Sequence, residues 1–309
     1  MTDEELIKEI KRLFGSKRIT LLKALHECAD KIPVQAMIEQ ELQKTTGLHV
    51  KSCVALSDDT LKWMSQKSSD IKKLNFDPED RSELIGDPSF WFLLLLNKNI
   101  KDPLDFDEKL AERHNTLFFC EIWASILFPL YTYDIYYWKY SKKDNIQEFG
   151  PYKPQKKHEA IAVNDMKKAM KTFGYKLISK KTAKTIIRQA ITDCAEKGEA
   201  TVFDCIFSDM TFYTETKSRM NIERNVYPEL GMECNWREYY DKKHKLYEKK
   251  IYMQFYERDD ETIVIDSEGR IKKFEIGSGS HANIPSQWIT YDTDKKTGYL
   301  TRKKEKHKG

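Results

Sequence analysis

The chain has 309 residues, 40% hydrophobic and 33% charged, with a formal net charge of +4. That balance excludes a disordered chain, and 12% aromatic residues can build a core without disulfides or a structural metal. So small a net charge also argues against a strongly basic nucleic-acid-coating module. The charge is uneven: residues 1–150 balance at −4 and residues 151–309 at +8, half of that surplus lying in the tail "TRKKEKHKG" at 301–309.

The opening "MTDEELIKEIKRLF" has acids at Asp3, Glu4 and Glu5 where a secretory signal needs a basic region and an apolar run, so no signal peptide is expected. It reads as a helix instead. Thr2 and Glu5 have capping-box spacing, and Leu6, Ile7, Ile10, Leu13 and Phe14 make one apolar stripe up to Gly15. Leu21, Leu22, Leu25 and Cys28 mark a second helix. Pro33 opens a third, with Val34, Met37, Ile38 and Leu42 on one side. Residues 48–56 suit a short strand, and "SDDTLKWMSQK" from Ser57 a short helix.

Two very apolar runs follow. Phe90–Leu96 within "DPSFWFLLLLNKN" is far shorter than the roughly 20 residues a membrane span needs, so a buried helix is expected. "LFFCEIWASILFPLYTYDIYYW" at 117–138 has the length of a span, but Glu121, Asp134 and Pro129 argue against insertion. At helical spacing Glu121, Ser125 and Thr132 form a narrow polar stripe, which suits a core helix kinked at Pro129. Its C-terminal end carries Tyr131, Tyr133, Tyr136, Tyr137 and Trp138, residue types that dominate interface hot spots, and these are the candidate partner-binding residues.

Gly150, Pro151 and Pro154 among charges mark a linker over 141–159. Helices are expected around Val163–Phe173, stopped by Gly174, and over Ser179–Glu196. "ATVFDCIFSD" and "TFYTET" read as a hairpin around Asp209 and Met210, and "NWREYYDKKHKLYEKK" at 235–250 as a polar helix capped by Asn235. "IYMQFYE", "TIVID", "RIKKFEI", "QWITYD" and "YLTR" then read as short strands joined by hairpin-type connections. The expectation is an α+β fold, with a mainly helical N-terminal half and a C-terminal half built on a largely antiparallel sheet with a few helices. The domains would be a helical 1–140, a linker 141–159 and an α+β 160–309 with its basic tail.

Six scattered cysteines, with no CxxC and no histidine at metal-finger spacing, suit small core residues in a reducing compartment, so the expected location is cytoplasmic. No cofactor and no metal site is expected. One constellation points to chemistry: Asp209, Glu215 and Lys217 in "SDMTFYTETK" resemble the acid and E-x-K skeleton of metal-dependent nucleases. Two carboxylates there would hold a hard divalent ion while the lysine orients water. Acid-x-Lys triplets are common in so charged a chain, and Asp209 would sit in a turn, so a solvated hairpin face is the plainer reading. "GSGSHANIP" at 277–285 lacks the strand-to-helix context of a phosphate loop. The function expected is an intracellular, non-catalytic protein-binding module. Its style is that of a bacterial inhibitor or immunity protein blocking a toxin or effector. The alternative is a metal-dependent nuclease or other nucleic-acid-processing enzyme using Asp209, Glu215 and Lys217. The partner is another protein; nucleic acid is the weaker choice, and no membrane is involved.

Overall fold

The computed structural model describes residues 2–14, 18–54, 87–98, 100, 110, 113–141, 143, 146–190, 192, 198–208, 217–221, 225–227, 232–255, 260–277, 287–293 and 300–307. Strands dominate them. The helices are α1 (Asp3–Phe14), α2 (Arg18–His26), α3 (Val34–Thr46), α4 (Lys157–Thr172), and the short α5 (Lys180–Ala183) and α6 (Val202–Ile206). The strands of the first half are β1 (Val50–Val54), β2 (Ser89–Leu95), β3 (Thr116–Ser125), β4 (Leu130–Ser141) and β5 (Ile146–Pro151). Later come β6 (Lys176–Leu177), β7 (Ser218–Asn221), β8 (Asn225–Tyr227), β9 (Met232–Tyr240) and β10 (Leu246–Phe255). The last four are β11 (Asp260–Asp266), β12 (Ile271–Gly277), β13 (Gln287–Thr293) and β14 (Leu300–His307).

The chain divides into two compact units. The first comprises 1–104, 118–136 and 153–213, and the second 105–117, 137–152 and 214–309. In the first unit β1 pairs antiparallel with β2 (Val50↔Leu94), and β2 with β3 (Phe92↔Ile122). β4 follows β3, and the two-residue β6 joins β4 in parallel (Leu130↔Lys176). Both faces of this sheet are covered. On one, Phe90, Phe92, Leu94, Cys120, Ile122 and Tyr131 pack with Leu25 of α2, Ile38 and Leu42 of α3, and Met166 and Met170 of α4. On the other, Trp123 and Leu130 pack with Leu6, Ile10 and Leu13 of α1 and with Phe203 and Ile206 of α6.

In the second unit β5 pairs antiparallel with β7 (Glu148↔Arg219), β7 with β9 (Arg219↔Glu238), and β9 with β10 (Glu238↔Lys249). From β9 onward each strand pairs with the next in the chain, a meander ending at β14. The small β8 lies against β9.

The helical N-terminal half is therefore overturned: the molecule is built on antiparallel sheet, and both apolar runs are strands. Residues 117–138 are not a kinked helix but the β3–β4 hairpin, with Pro129 in its connection. Helices on both faces bury consecutive residues, Phe119 to Ser125 without a break, and so erase the period-two signal of a half-exposed strand. The stripe of Glu121, Ser125 and Thr132 was a coincidence of helical spacing. The composition did carry the strand signal, since Phe, Ile, Trp, Tyr and Thr fill it. The run within 87–99 likewise holds β2, Ser89–Leu95. Of the helix read over 179–196, the described residues up to 190 hold only α5 at its start, and 191 and 193–197 lie outside the described residues. "ATVFDCIFSD" holds α6, whose Thr201 caps it through Asp204 N–H at 3.3 Å. The helix read over 235–250 is the β9–β10 hairpin, and 146–151 within the expected linker is β5. The capping box at Thr2 is present: Thr2 N–H donates to Glu5 Oε2 at 2.7 Å, and Glu5 N–H to Thr2 Oγ1 at 3.2 Å. Residues 57–67 and 211–216 lie outside the described residues.

Candidate functional site

The surface of the second unit is built from charged and aromatic residues alternating along β9 and β10. In "NWREYY", Trp236, Glu238 and Tyr240 fall on one face, and Arg237 and Tyr239 on the other. The strands turn at Asp241–Lys245 without glycine. Asp241 Oδ1 accepts the N–H groups of Lys243 at 2.7 Å and Lys245 at 2.9 Å, while His244 takes the left-handed conformation at φ 58°. Lys242, Lys243, His244 and Lys245 are exposed at this tip. No residue described at 217–220, 236–240 or 246–252 is buried, so both faces of this stretch reach solvent.

The first face is an ion-pair ladder. Lys217 Nζ lies 2.8 Å from Glu148 Oε2, and Tyr137 donates its hydroxyl to Glu148 Oε1 at 2.9 Å. Arg219 stands 3.8 Å from Glu148 and 3.9 Å from Glu238, and Lys249 3.4 Å from Glu238. Tyr240 closes the row, donating its hydroxyl to Glu238 Oε2 at 2.8 Å. Lys217 and Lys249 also sit over the rings of Tyr240 and Trp236, at 5.3 and 4.8 Å. Burial raises the Glu148 carboxyl, but Lys217 and the Tyr137 phenol outweigh it and hold the group below the usual carboxylate range.

The opposite face is less balanced. Cross-strand register aligns Met220, Arg237 and Lys250 in one row, and Ser218, Tyr239 and Glu248 in the next. Lys250 Nζ is 5.5 Å above the Tyr239 ring and 3.9 Å from Glu248. Arg237 reaches only the Met220 thioether, Nη2 to Sδ at 3.6 Å, and among the described residues has no carboxylate partner. Tyr247, whose ring is 6.3 Å from that of Tyr239, is 42% exposed, and Tyr252 is 38% exposed.

A second polar cluster is buried in the first unit. Glu121 on β3 and Asp134 on β4 are each 6% exposed. Asp134 Oδ1 accepts from Lys180 Nζ at 2.7 Å while its Oδ2 has no hydrogen-bond partner. Burial pushes the Glu121 carboxyl up to about 8, the Trp91 indole opposing and the Asp134 charge adding to it. Elsewhere in the first unit, Ser208 donates to Asp87 Oδ2 at 2.7 Å and Ser89 to the Phe207 carbonyl at 2.5 Å, both bonds buried. No group of three or more His, Cys, Asp or Glu able to hold a metal ion occurs among the described residues.

The sequence candidates are placed as follows. Asp209 and Glu215 lie outside the described residues, and Lys217 is the Glu148 partner just described. Tyr131 is 3% exposed and faces the helices, with burial pushing its phenol up to about 12. Trp138 is 9% exposed and stacks on Phe149 at 5.8 Å. Tyr133, Tyr136 and Tyr137 are half-buried: Tyr133 lies under Lys167, Tyr136 against Phe119, and Tyr137 on Gly150. Sequence reasoning missed Arg237 and the two-sided hairpin, because it took 235–250 for a helix. No period marked it: "NWREYY" sets Arg beside Glu and Tyr beside Tyr, so only its content of Trp and Tyr favoured a strand.

No protein-family model, curated protein or solved structure matches the chain. No helix among the described residues is long and apolar enough to cross a membrane.

Proposed function

We propose that the chain is a non-catalytic protein-binding module of the cytoplasm, of the inhibitor or immunity type that blocks a toxin or effector by covering it. The observation that supports this reading is the β7–β9–β10 surface, where tyrosine, tryptophan, arginine and lysine are half-exposed on both faces of the sheet. Such a sheet normally buries at least one face. Rigid aromatic rings offer large contact area at low entropic cost, and flanking charges steer association. The binding surface assigned here is this hairpin; the Tyr131–Trp138 rings are largely built into the sheet that carries them. In the first unit the buried polar groups Asp134 and Ser208 are engaged by Lys180 and Asp87.

The test is a tagged full-length chain recovered from its host at moderate salt and run on size exclusion, with co-eluting proteins identified by mass spectrometry. A stoichiometric protein whose own activity falls on adding the purified chain supports the proposal. Co-eluting nucleic acid, with divalent-metal-dependent cleavage abolished by Glu215→Ala, sinks it in favour of the nuclease reading.

A further inference from the structure

We infer that the face of β7, β9 and β10 bearing Met220, Arg237, Tyr239, Lys250 and Tyr252 docks an acidic segment of another protein, with Arg237 receiving one of its carboxylates. The inference rests on the binding-module reading and names the chemistry of the partner.

The two faces of one sheet differ in how their charges are matched. On the ladder face Lys217, Arg219 and Lys249 all stand within 4 Å of Glu148 or Glu238. On the docking face, among the described residues, the one carboxylate within 4 Å of Arg237 or Lys250 is Glu248, at 3.9 Å from Lys250. The half-buried Arg237 guanidinium has a thioether as its sole hydrogen-bond partner among the described residues. A thioether is a weak acceptor, and a guanidinium presents five donors in a planar fork that fits a carboxylate with two bonds. A surplus of donors and positive charge is therefore held between tyrosine rings, and the exposed Lys242, Lys243 and Lys245 extend it to the hairpin tip.

The same geometry disfavours a nucleic acid. A polyphosphate carries a charge every few ångströms and needs a track of cations. Here Glu248 interrupts the rows and Asp241 stands between them and the lysines of the tip, so the half-buried Arg237 is separated from those cations. Tyrosine, methionine and arginine around one such point is the composition of a protein hot spot.

The test uses the immobilised full-length chain and a library of random twelve-residue peptides displayed on phage. Each round is counter-selected on the Arg237→Gln variant, whose fold is checked by circular dichroism. The expected result is a consensus rich in Asp or Glu. A synthetic consensus peptide should bind the parent chain at least tenfold tighter than Arg237→Gln, about 1.4 kcal/mol. Its binding should change less than twofold in Lys171→Gln, an exposed lysine on α4 of the first unit, and replacing its acids with amides should abolish it. A consensus without acids, affinity indifferent to Arg237, tighter binding of a twelve-nucleotide oligo-dT, or Arg237-dependent self-association would each overturn the inference. If the size-exclusion experiment yields a stoichiometric partner whose hydrogen-exchange footprint avoids β9 and β10, the docking face falls and the binding reading stands. If neither a partner nor a library peptide is found, the reading itself falls.

Discussion

Glu121 ties a single side chain to the stability of the first unit. In the unfolded chain its carboxyl titrates near 4.5, and in the folded protein near 8. Between those values the native state keeps a proton that the unfolded chain gives up. Stability therefore falls as pH rises through this window, by up to about 1.4 kcal/mol per unit, and levels off above it. Glu121→Gln keeps the shape of the neutral acid without its proton. We predict that urea denaturation at pH 5, 7 and 9 will show the parent chain losing stability relative to Glu121→Gln as pH rises. Parallel profiles would mean that Glu121 is ionised in the fold. Residue types were legible in the sequence here, but the burial that couples Glu121 to Asp134 was not. Under a helical reading the two fall thirteen residues apart on one rod, whereas the β3–β4 hairpin folds them back toward each other.

At the level of elements, Gly150 on β5 shows how a strand can depend on a neighbouring ring. A Cβ built there would meet Tyr137 atoms at 2.7–2.9 Å. The ring covers the glycine and spends its hydroxyl on Glu148. Gly150→Ala is predicted to cost about 1–3 kcal/mol by forcing that ring away. The same substitution in a Tyr137→Ala background should be close to neutral. A thermal-denaturation cycle over the four chains measures the coupling, and additive effects would refute it. The sequence marked Gly150 as linker because glycine and proline crowd 150–154. Only the sheet reveals that the missing side chain makes room for a ring on β4. The turn at 241–245 was hidden for a related reason: it carries no glycine, using Asp241 as its hydrogen-bond acceptor and His244 in the left-handed region.

At the scale of the whole molecule, burial sorts the three cysteines whose side chains are described. Cys120 and Cys205 are completely buried, and Cys28 is partly exposed. Burial also pushes the Cys120 thiol well up, which suppresses the reactive thiolate. Pulse labelling with iodoacetamide, read by peptide mass spectrometry, should modify Cys28 in the native protein. Cys120 and Cys205 should react only at denaturant concentrations that unfold the first unit. Early labelling of Cys120 would mean that the sheet between its two helical layers opens locally. The second unit is organised differently, with both faces of β7, β9 and β10 reaching solvent, and this is where the binding proposal is placed.

By itself the sequence determined the short-range features. The Thr2–Glu5 capping box, the stripe of Leu6, Ile10 and Leu13, and the left-handed Gly174 that follows α4 depend on residues within one or two turns. The C-terminal strands were readable for the same reason, since alternation and turn residues lie next to one another in the chain. The tertiary structure alone decided that the two apolar runs form β2, β3 and β4. An apolar run buried on all sides loses the periodicity that separates helix from strand, and the choice passes to distant partners such as Val50 for Leu94 and the α4 methionines for Cys120 and Ile122. It also decided which charges are matched. Arg237 differs from Arg219 only in the face it occupies, and that face is fixed by register with β7 and β10.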